Sequence, residues 1–172
     1  MKNGIPKKIW FLWLQGKNNM PEIIRNCYNS WERHNLNWEI HFLDNKNLNT
    51  YLDIKLLNLD KISKQAISDI IRINLLKKYG GVWVDATTFC NFPLDEWINE
   101  YAENDFFAFE SPKKKPTLIS SWFLISSKNS YITNKYCEAT NKFWNDNPKL
   151  ILINKIRIFR YFFKITLLKY YR

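Results

Sequence analysis

A helical repeat that ends at two glycines and continues directly into a short apolar run constrains the fold more than any other feature of the sequence. Residues 63–79 carry an apolar stripe at helical spacing, formed by Ile67, Ile70, Ile71 and Leu75. Gly80 and Gly81 end the predicted helix, because glycine readily adopts the left-handed backbone that often follows a helix. The next residues, 82–84, predict a short buried strand that presents Asp85 at its end.

The rest of the chain alternates between the same two patterns. Apolar or alternating runs predict further strands at residues 5–14, 38–43, 106–109 and 122–125. Helical spacing predicts helices over residues 21–35 and 129–144, and residues 45–62 are predicted to form a loop with a short helix. Strands that alternate with helices favour an α/β domain with a mostly parallel central sheet.

Length and charge distribution suggest one folded domain and a basic tail. A chain of 172 residues with 46% hydrophobic and 17% aromatic residues is long enough and apolar enough to bury one core. The formal net charge is +10; residues 149–172 contribute +7 through seven Lys and Arg and no acids, which leaves +3 for residues 1–148. We therefore expect a folded domain over residues 1–148 and a basic amphipathic tail over residues 149–172.

The predicted tail interleaves its basic residues with large apolar ones. Charges interrupt every apolar stretch, so the segment is not expected to span a bilayer. Arg157, Arg160 and Lys164 share one face of a helix opposite apolar side chains, which is typical of a helix lying on anionic lipid. The alternative is a final core helix with a solvated edge. The first interpretation predicts a cytoplasmic protein held peripherally at the inner face of an anionic membrane.

Cysteine and histidine usage argues against a zinc site. The three cysteines, Cys27, Cys90 and Cys137, are widely spaced, and the two histidines are His34 and His41. No CxxC pair occurs, so reduced thiols in a cytosolic protein are the simplest interpretation. The apolar run near the N-terminus is not followed by a small-residue cleavage site, which favours a strand over a signal peptide.

Asp85 and the pair Asp69 and Arg72 are the candidate functional residues. Ligands of open α/β sheets bind beyond the carboxyl ends of the strands, and Asp85 follows such an end. A carboxylate beside a buried strand is costly unless a metal ion, a phosphate-bearing ligand or another partner pairs with it. Asp69 and Arg72 are three residues apart and share a helix face, where we expect them to be partly buried. Alternatively, Asp85 caps a turn and the pair is an ordinary helix salt bridge.

Two segments in this region, SDIIR at 68–72 and YGGVWVD at 79–85, resemble the sugar-binding region of DXD-type glycosyltransferases. The resemblance is strongest to the capsular polysaccharide synthesis family; yeast mannosyltransferases and glucosylating clostridial toxins are similar more distantly. It extends from residue 5 to about residue 144. It implies a GT-A-type fold, a Rossmann-like nucleotide-sugar-binding domain, which uses a UDP- or GDP-sugar and a divalent cation, Mn²⁺ or Mg²⁺.

The same resemblance implies roles for individual residues. Asp69 and Arg72 would contact the sugar and the pyrophosphate of the donor, with Ser68 beside them. Asp85 matches the first acid of the DXD motif, which meets the ribose or the sugar and the shell of the metal ion. Trp13 falls where related enzymes stack an aromatic ring on the nucleobase, and an ordinary core tryptophan is the alternative.

Other positions match the family pattern less completely. Ser121 and Trp122 lie where the family often closes over the donor, and a structural role is the alternative. The third motif position is Thr87, whose hydroxyl is a far poorer ligand for Mg²⁺ or Mn²⁺ than a carboxylate. Family members usually run longer and carry a late aromatic-and-histidine segment, whereas no histidine follows His41. The chain is therefore expected to be a truncated or diverged member.

By this resemblance the expected reaction is a retaining hexosyl transfer from a nucleotide-sugar to a glycan or lipid-linked acceptor, in capsular or surface polysaccharide synthesis. Arg72 and the cation would stabilise the departing diphosphate while Asp69 and Asp85 hold the donor. A non-catalytic remnant that binds nucleotide or glycan is the first alternative. A nucleic-acid-binding protein is the second, but residues 1–148 are nearly charge-balanced and carry no recognised nucleic-acid motif, so no nucleic-acid partner is expected.

Overall fold

The computed structural model describes residues 4–53, 63–102, 104–111 and 119–146. Five strands lie within these ranges: β1 (Lys8–Leu12), β2 (Glu39–Leu43), β3 (Gly81–Val84), β4 (Phe106–Glu110) and β5 (Ile119–Ser126). The same ranges contain five α-helices: α1 (Glu22–His34), α2 (Leu48–Tyr51), α3 (Lys64–Tyr79), α4 (Ile98–Tyr101) and α5 (Tyr131–Asp146). Short 3₁₀ turns occupy Lys17–Asn19 and Leu94–Glu96.

The five strands form one mixed sheet in the order β2-β1-β3-β5-β4. β1 pairs in parallel with β2 and with β3. The helices α1 and α3 each bring the chain back to the end of the sheet at which the strands start. β5 runs antiparallel to both β3 and β4. Four of the five strands therefore point in one direction and only β5 is reversed. The expected α/β domain with a mostly parallel central sheet is confirmed.

The first strand is shorter than the sequence predicts. β1 covers Lys8–Leu12 and pairs in register with Glu39–Leu43, whereas the prediction covers residues 5–14. The Trp13 amide makes one more bond to the neighbouring strand, to the Leu43 carbonyl at 2.9 Å. The backbone then turns, because the Gly16 amide donates back to the Trp13 carbonyl at 3.0 Å. The apolar run continues past the strand because the first turn residue is itself aromatic.

The helices begin and end within a few residues of their predicted bounds. Ser63 caps α3, since its Oγ accepts a hydrogen bond from the Ala66 amide at 3.2 Å. α2 lies inside the predicted loop of residues 45–62, of which residues 54–62 lie outside the described ranges. The predicted basic tail, residues 149–172, also lies outside them.

Both faces of the sheet are buried. Alternation along β3 directs Val82 and Val84 toward α1, and Trp83 toward α3 and α5. The α1 side of the core contains Ile9, Phe11, Ile24, Tyr28, Trp31, Phe123 and Ile125. The α3 and α5 side contains Trp10, Leu12, Ile71, Leu75, Leu76, Leu124 and Cys137. Each fully buried apolar side chain of this size stabilises the fold by about 1.5–3 kcal/mol.

The junction between α3 and β3 requires both of its glycines. Gly80 and Gly81 have φ values of +69° and +98°, which side chains rarely tolerate. A Cβ atom on Gly81 would lie 2.5 Å from the carbonyl oxygen of Lys8, and one on Gly80 would lie 2.8 Å from the amide nitrogen of Lys128. The helix can therefore pass directly into a strand beside β1 only because neither residue has a side chain.

Cys27, Cys90 and Cys137 are buried and unpaired. Burial raises the pKa of the Cys137 thiol to about 11, so it is protonated at neutral pH. Across the described ranges, no helix combines the length and the apolarity needed to cross a membrane.

Candidate functional site

Asp85 lies at the carboxyl edge of the sheet, directly after β3. Its amide donates to the Trp122 carbonyl at 2.8 Å, and its own carbonyl accepts from the Thr88 amide at 2.8 Å, which closes a turn. The side chain is 33% exposed. The carboxylate is therefore held by the backbone of β3 and β5 at the edge where parallel α/β sheets bind ligands.

Arg72 joins the predicted site residues into one cluster. Its Nη2 donates to Asp85 Oδ1 at 3.0 Å and to Ser68 Oγ at 3.2 Å. The same nitrogen lies 3.2 Å from Asp69 Oδ1. The Arg72 side chain is only 5% exposed, against 27% for that of Asp69. The expected contact between Asp69 and Arg72 and the burial of Arg72 are thus observed, and the guanidinium also reaches the residue that follows β3.

The remaining contacts of Arg72 fix its plane. Nη1 donates to the Ser121 carbonyl on β5. The guanidinium carbon lies 5.2 Å from the ring centroid of Trp83, within cation–π range. Nε is buried and has no hydrogen-bond partner among the described residues. A buried unpaired N–H costs about 1–3 kcal/mol. A ligand atom that accepted a hydrogen bond from this Nε would therefore remove that cost.

Asp85 Oδ1 is a shared acceptor. Besides Arg72, it accepts a hydrogen bond from Trp83 Nε1 at 2.9 Å. Residues two apart on a strand point to the same face, so Trp83 and Asp85 are neighbours by strand geometry. That spacing was visible in the sequence, but it did not identify Trp83 as part of the site.

The cluster carries an excess of negative charge. Two carboxylates, Asp69 and Asp85, surround one guanidinium, which leaves a formal charge of −1. Burial raises the pKa of the Tyr136 hydroxyl of α5 above its usual 10.0; Asp69 and Asp85 raise it further, and Arg72 opposes them. The Tyr136 hydroxyl is therefore neutral at physiological pH and lies near enough to the cluster to be affected by its charges. Nothing local in the sequence identifies it, because α5 reaches the site only through the folding of α5 against α3.

Trp13 lies at the same edge of the sheet, just after β1, but apart from the arginine cluster of Ser68, Asp69, Arg72 and Asp85. Its Nε1 donates to the Asn19 carbonyl at 3.2 Å, and its ring is partly buried against the α1 side of the core. Arg72 and Trp83 belong to the opposite side of the sheet. The two groups are thus placed on different faces at one edge.

Two segments lie beside Asp85: strand β5 and the turn that follows Asp85. Both present aromatic rings or hydroxyl groups near this edge of the sheet. Trp122 is 40% exposed and stacks on Phe109 of β4, with ring centroids 5.0 Å apart and planes 8° from parallel. Ser121 contributes its carbonyl, not its hydroxyl, to Arg72. Thr87 is exposed in the turn that follows Asp85. These residues therefore lie at the accessible edge, and among the described residues none of their side chains contacts Arg72.

Helix α1 anchors the segment that follows Asp85, residues 88–94. The sequence patterns did not predict this role. Trp31 Nε1 donates to the Thr88 carbonyl at 2.9 Å. Ser30 Oγ accepts from the Cys90 amide at 2.9 Å, and Asn35 Oδ1 accepts from the Leu94 amide at 2.9 Å.

These anchors are polar groups of α1 and of Asn35, the residue that follows it, and each bonds a residue 57 to 60 positions further along the chain. Buried polar side chains are retained where they satisfy such backbone groups. Only a tertiary structure could identify them, since no spacing within one element links the two partners.

The chain is similar to known glycosyltransferases in sequence and in fold. Over 97 residues it is 31% identical to the O-glycosyltransferase braB of Annulohypoxylon truncatum, in an alignment covering 48% of this chain. The chain spans only 23% of that protein's length. The PaToxG glycosyltransferase has a similar fold, with a TM-score of 0.56 and 14% identity over 97% of this chain and 74% of that chain. This structural likeness is to the fold alone, an α/β domain of the GT-A-like Rossmann type.

The sequence pattern of a protein family covers nearly the whole chain. The family described as capsular polysaccharide synthesis protein matches residues 1–171 of the 172. The match includes both segments on which the resemblance rests, 68–72 and 79–85. The chain belongs to the capsular polysaccharide synthesis protein family.

Proposed function

We propose that the chain is a glycosyltransferase that moves a sugar from a nucleotide-sugar donor to a glycan or lipid-linked acceptor. The buried guanidinium of Arg72, clamped between Asp69 and Asp85 at the carboxyl edge of the sheet, is the observation that carries this function. A buried ion cluster is a poor source of stability, because desolvation offsets most of its attraction. A cluster of this kind at a ligand-binding edge is more readily explained by a ligand than by folding.

The charge of each side chain in the cluster indicates which part of the donor it binds. Arg72 faces the diphosphate of the donor, where its guanidinium stabilises the negative charge that develops as the sugar–phosphate bond breaks. Asp69 and Asp85 are hydrogen-bond acceptors for sugar or ribose hydroxyls, while Ser68 supports the Arg72 geometry. Trp13, at the same edge, stacks on the base of the nucleotide.

A divalent cation fits this site only if the donor brings most of the ligands. Among the described residues no group of three His, Cys, Asp or Glu side chains is arranged to hold a metal ion. Mg²⁺ is commonly bound by one or two carboxylates together with substrate phosphates and water. Asp85 would be the protein ligand, with Oδ2 receiving no hydrogen bond from the described residues and the exposed Thr87 hydroxyl adding at most a weak oxygen. Such a cation, Mn²⁺ or Mg²⁺, would neutralise charge on the diphosphate.

The finer features of the reaction extend the same proposal. The donor is a UDP- or GDP-hexose, the transfer retains the anomeric configuration, and the product is a capsular or surface polysaccharide. These features rest on the resemblance of the 68–72 and 79–85 segments. The basic segment at residues 149–172 would hold the enzyme against the anionic inner face of the cytoplasmic membrane, close to a lipid-linked acceptor.

A non-catalytic protein that binds the same donor is the second candidate. It is favoured by Thr87, which replaces a carboxylate of the DXD motif and leaves the described residues with a single motif acid at this edge. A donor-hydrolysis assay separates the two, since an enzyme releases free sugar slowly from its donor even without acceptor. Release by the wild-type chain and none by Asp85→Asn supports transfer; binding without release supports the second candidate.

The proposed donor class is tested by thermal denaturation of the full chain with UDP- and GDP-sugars, each with and without Mn²⁺. A ligand present at a hundred times its dissociation constant stabilises the folded state by about 2.7 kcal/mol, which corresponds to a rise in Tm of roughly 5–10 °C for a domain of this size. Free hexose without nucleotide is the matched control and should leave the Tm unchanged. Failure of every UDP- and GDP-sugar to raise the Tm would contradict the proposal.

A further inference from the structure

Asp44 lies beside Trp13 at the carboxyl edge of the sheet. The parallel pairing of β1 with β2 continues past the ends of both strands, because the Trp13 amide donates to the Leu43 carbonyl at 2.9 Å. The same register places Trp13 opposite Asp44. A second backbone bond, from the Asn45 amide to the Leu14 carbonyl at 3.2 Å, holds the two turns together. Neighbouring strand ends therefore present the indole and the carboxylate side by side.

Trp13 and Asp44 also lie on the same face of the sheet. Trp13 and Phe42 pack on the α1 side of the core. Residues two apart along a strand share a face, so Asp44, two residues after Phe42, is directed to the same side. In agreement, Asp44 Oδ2 lies 3.6 Å from the point that a Cβ atom on Gly16 would occupy, in the turn after Trp13. The carboxylate therefore faces the turn that carries Trp13.

The Asp44 carboxylate is held in one orientation and keeps one oxygen open. Its Oδ1 accepts from the Lys46 amide at 2.8 Å and from the Asn47 amide at 3.1 Å. In return, Asn47 Oδ1 accepts from the Asp44 amide at 2.9 Å. Asp44 Oδ2 receives no hydrogen bond from the described residues, and the side chain is half-buried. A ligand would therefore meet an acceptor that is already oriented, and binding would cost little ordering of this side chain.

The order of the strands determines which end of a nucleotide would meet Asp44. The sheet order β2-β1-β3 puts Asp44, Trp13 and Asp85 at three successive strand ends, with neighbouring strands about 4.8 Å apart. Under the proposed function, on which this inference rests, the base stacks on Trp13 and the diphosphate lies at Arg72, beside Asp85. The base edge farthest from the ribose then points away from Asp85 and toward Asp44. On uracil that edge carries the N3–H group, and on guanine it carries the N1–H group.

We propose that Asp44 recognises the base of the donor by accepting a hydrogen bond from the ring N–H of uracil or guanine. An ionised carboxylate only accepts hydrogen bonds. Cytosine N3 and adenine N1 carry a lone pair where uracil and guanine carry this N–H, and a carboxylate repels that lone pair. Asp44 is thus a specificity-determining residue, which selects the bases that carry the ring N–H and contacts neither the transferred sugar nor the diphosphate.

The test titrates the full chain by calorimetry with four nucleoside diphosphates: UDP, CDP, GDP and ADP. UDP should bind at least fivefold more tightly than CDP, or GDP at least fivefold more tightly than ADP. Asp44→Asn keeps an oxygen for the Lys46 and Asn47 amides and replaces the open oxygen with an amide donor. In that variant the preference should fall below twofold or reverse. Asp146→Asn, the same change at the exposed end of α5, is the matched control and should keep the preference.

The outcomes separate this assignment from the proposed function. Binding of the diphosphates without a preference for UDP over CDP or GDP over ADP overturns the role of Asp44 alone, as does an unchanged preference in Asp44→Asn. Failure of all four diphosphates to bind overturns the proposed function as well. If Asp44→Asn fails to fold, the wild-type chain is titrated with N3-methyl-UDP and N1-methyl-GDP, which lack the ring N–H. An affinity at least tenfold lower than for the unmethylated nucleotide supports the assignment, and an undiminished affinity overturns it.

Discussion

Arg72 Nη2 on α3 donates to Asp85 Oδ1 at the end of β3 over 3.0 Å, so two elements that are consecutive in the chain meet again at the carboxyl edge of the sheet. The helix therefore presents its guanidinium to the strand that follows it. An exposed salt bridge on a helix contributes about 0.3–0.5 kcal/mol. Arg72 is instead buried between two carboxylates, and losing one partner of such a cluster costs about 3–5 kcal/mol.

The Gly81 junction should be intolerant of any side chain. We expect Gly81→Ala to lower the free energy of unfolding by about 1–3 kcal/mol, because the residue has φ +98° and the new Cβ would lie 2.5 Å from the Lys8 carbonyl oxygen. Urea denaturation at equilibrium measures the change. Gly4→Ala is the matched control, since nothing lies within 4 Å of its Cβ. Equal urea midpoints for the two variants would show that the junction is not strained.

The α1 anchor should influence ligand binding at Asp85 without contacting the ligand. Trp31→Phe keeps the ring in the core and removes the hydrogen bond to the Thr88 carbonyl, three residues after Asp85. We expect the affinity for nucleotide-sugar to fall about fivefold, the factor that corresponds to roughly 1 kcal/mol for one hydrogen bond.

Isothermal titration calorimetry measures the effect of Trp31→Phe, with Trp38→Phe as the matched control. That substitution also removes an indole hydrogen bond, to Asp95 at 3.0 Å, but at the far end of the same segment. If both variants lose affinity equally, general loss of packing explains the result and the anchor has no specific role.

His41 should make the fold less stable in mild acid. Burial lowers the pKa of its imidazole below the usual 6.5, nearby Lys8 lowers it further, and Glu39 opposes them. The unfolded chain therefore takes up a proton as the pH falls through about 6.5, while the folded chain does not. The stabilisation is complete above that pH and declines as the pH falls toward the lower folded pKa.

Urea midpoints at pH 7.5, 6.5 and 5.5 test this pH dependence. The Lys8 hydrogen bond lowers the pKa of Glu39 below 4.5, so that carboxylate titrates outside this window. His41→Phe preserves stacking on Trp10, whose ring centroid is 4.4 Å away, and should flatten the dependence. His34→Gln should retain it. A wild-type chain that is equally stable at all three pH values would contradict the prediction.

The basic segment at residues 149–172 should attach the chain to anionic membranes. Its seven positive charges can each contribute up to about 1 kcal/mol near such a surface. Sedimentation with vesicles that contain phosphatidylglycerol should therefore be strong, should weaken steeply with salt and should vanish with pure phosphatidylcholine.

Replacing Arg157, Arg160 and Lys164 with Gln in the full chain removes three of the seven positive charges of this segment and keeps its length. Membrane sedimentation should then fall markedly while nucleotide-sugar binding is unchanged. The alternative, a final core helix, predicts the reverse: an unchanged sedimentation, or a chain that loses its fold and its donor binding together.

Secondary structure was predictable where the local pattern was strong. The stripe of apolar residues in α3 and the glycines after it fixed both ends of that helix, because they report local backbone preferences. The end of β1 was not predictable in the same way. Whether residues 13 and 14 extend the strand depends on where β2 ends, and that is a property of the pairing.

The site was predictable only in part. Helix spacing identified the contact between Asp69 and Arg72, and strand position identified Asp85. The Ser121 carbonyl, Tyr136 and the α1 anchors come from distant parts of the chain, and only the packing of α1, α3, α5 and β5 brings them to Asp85. A polar residue in the middle of an amphipathic helix does not reveal which backbone group it will bond.

The central claim is that Asp85 and Arg72 bind the donor. Asp85→Asn preserves the shape of the side chain and removes its charge, and Arg72→Lys preserves charge and removes the planar set of donors. Asp146→Asn, a substitution of the same type at the exposed end of α5, is the matched control.

Isothermal titration of these proteins with the UDP- or GDP-sugar that stabilises the wild type most is the direct measurement. We expect the control to bind like the wild type and both site variants to bind at least about tenfold more weakly, a difference of 1.4 kcal/mol or more. An affinity in Asp85→Asn and Arg72→Lys equal to that of the wild type would show that the donor binds elsewhere, and it would contradict the account.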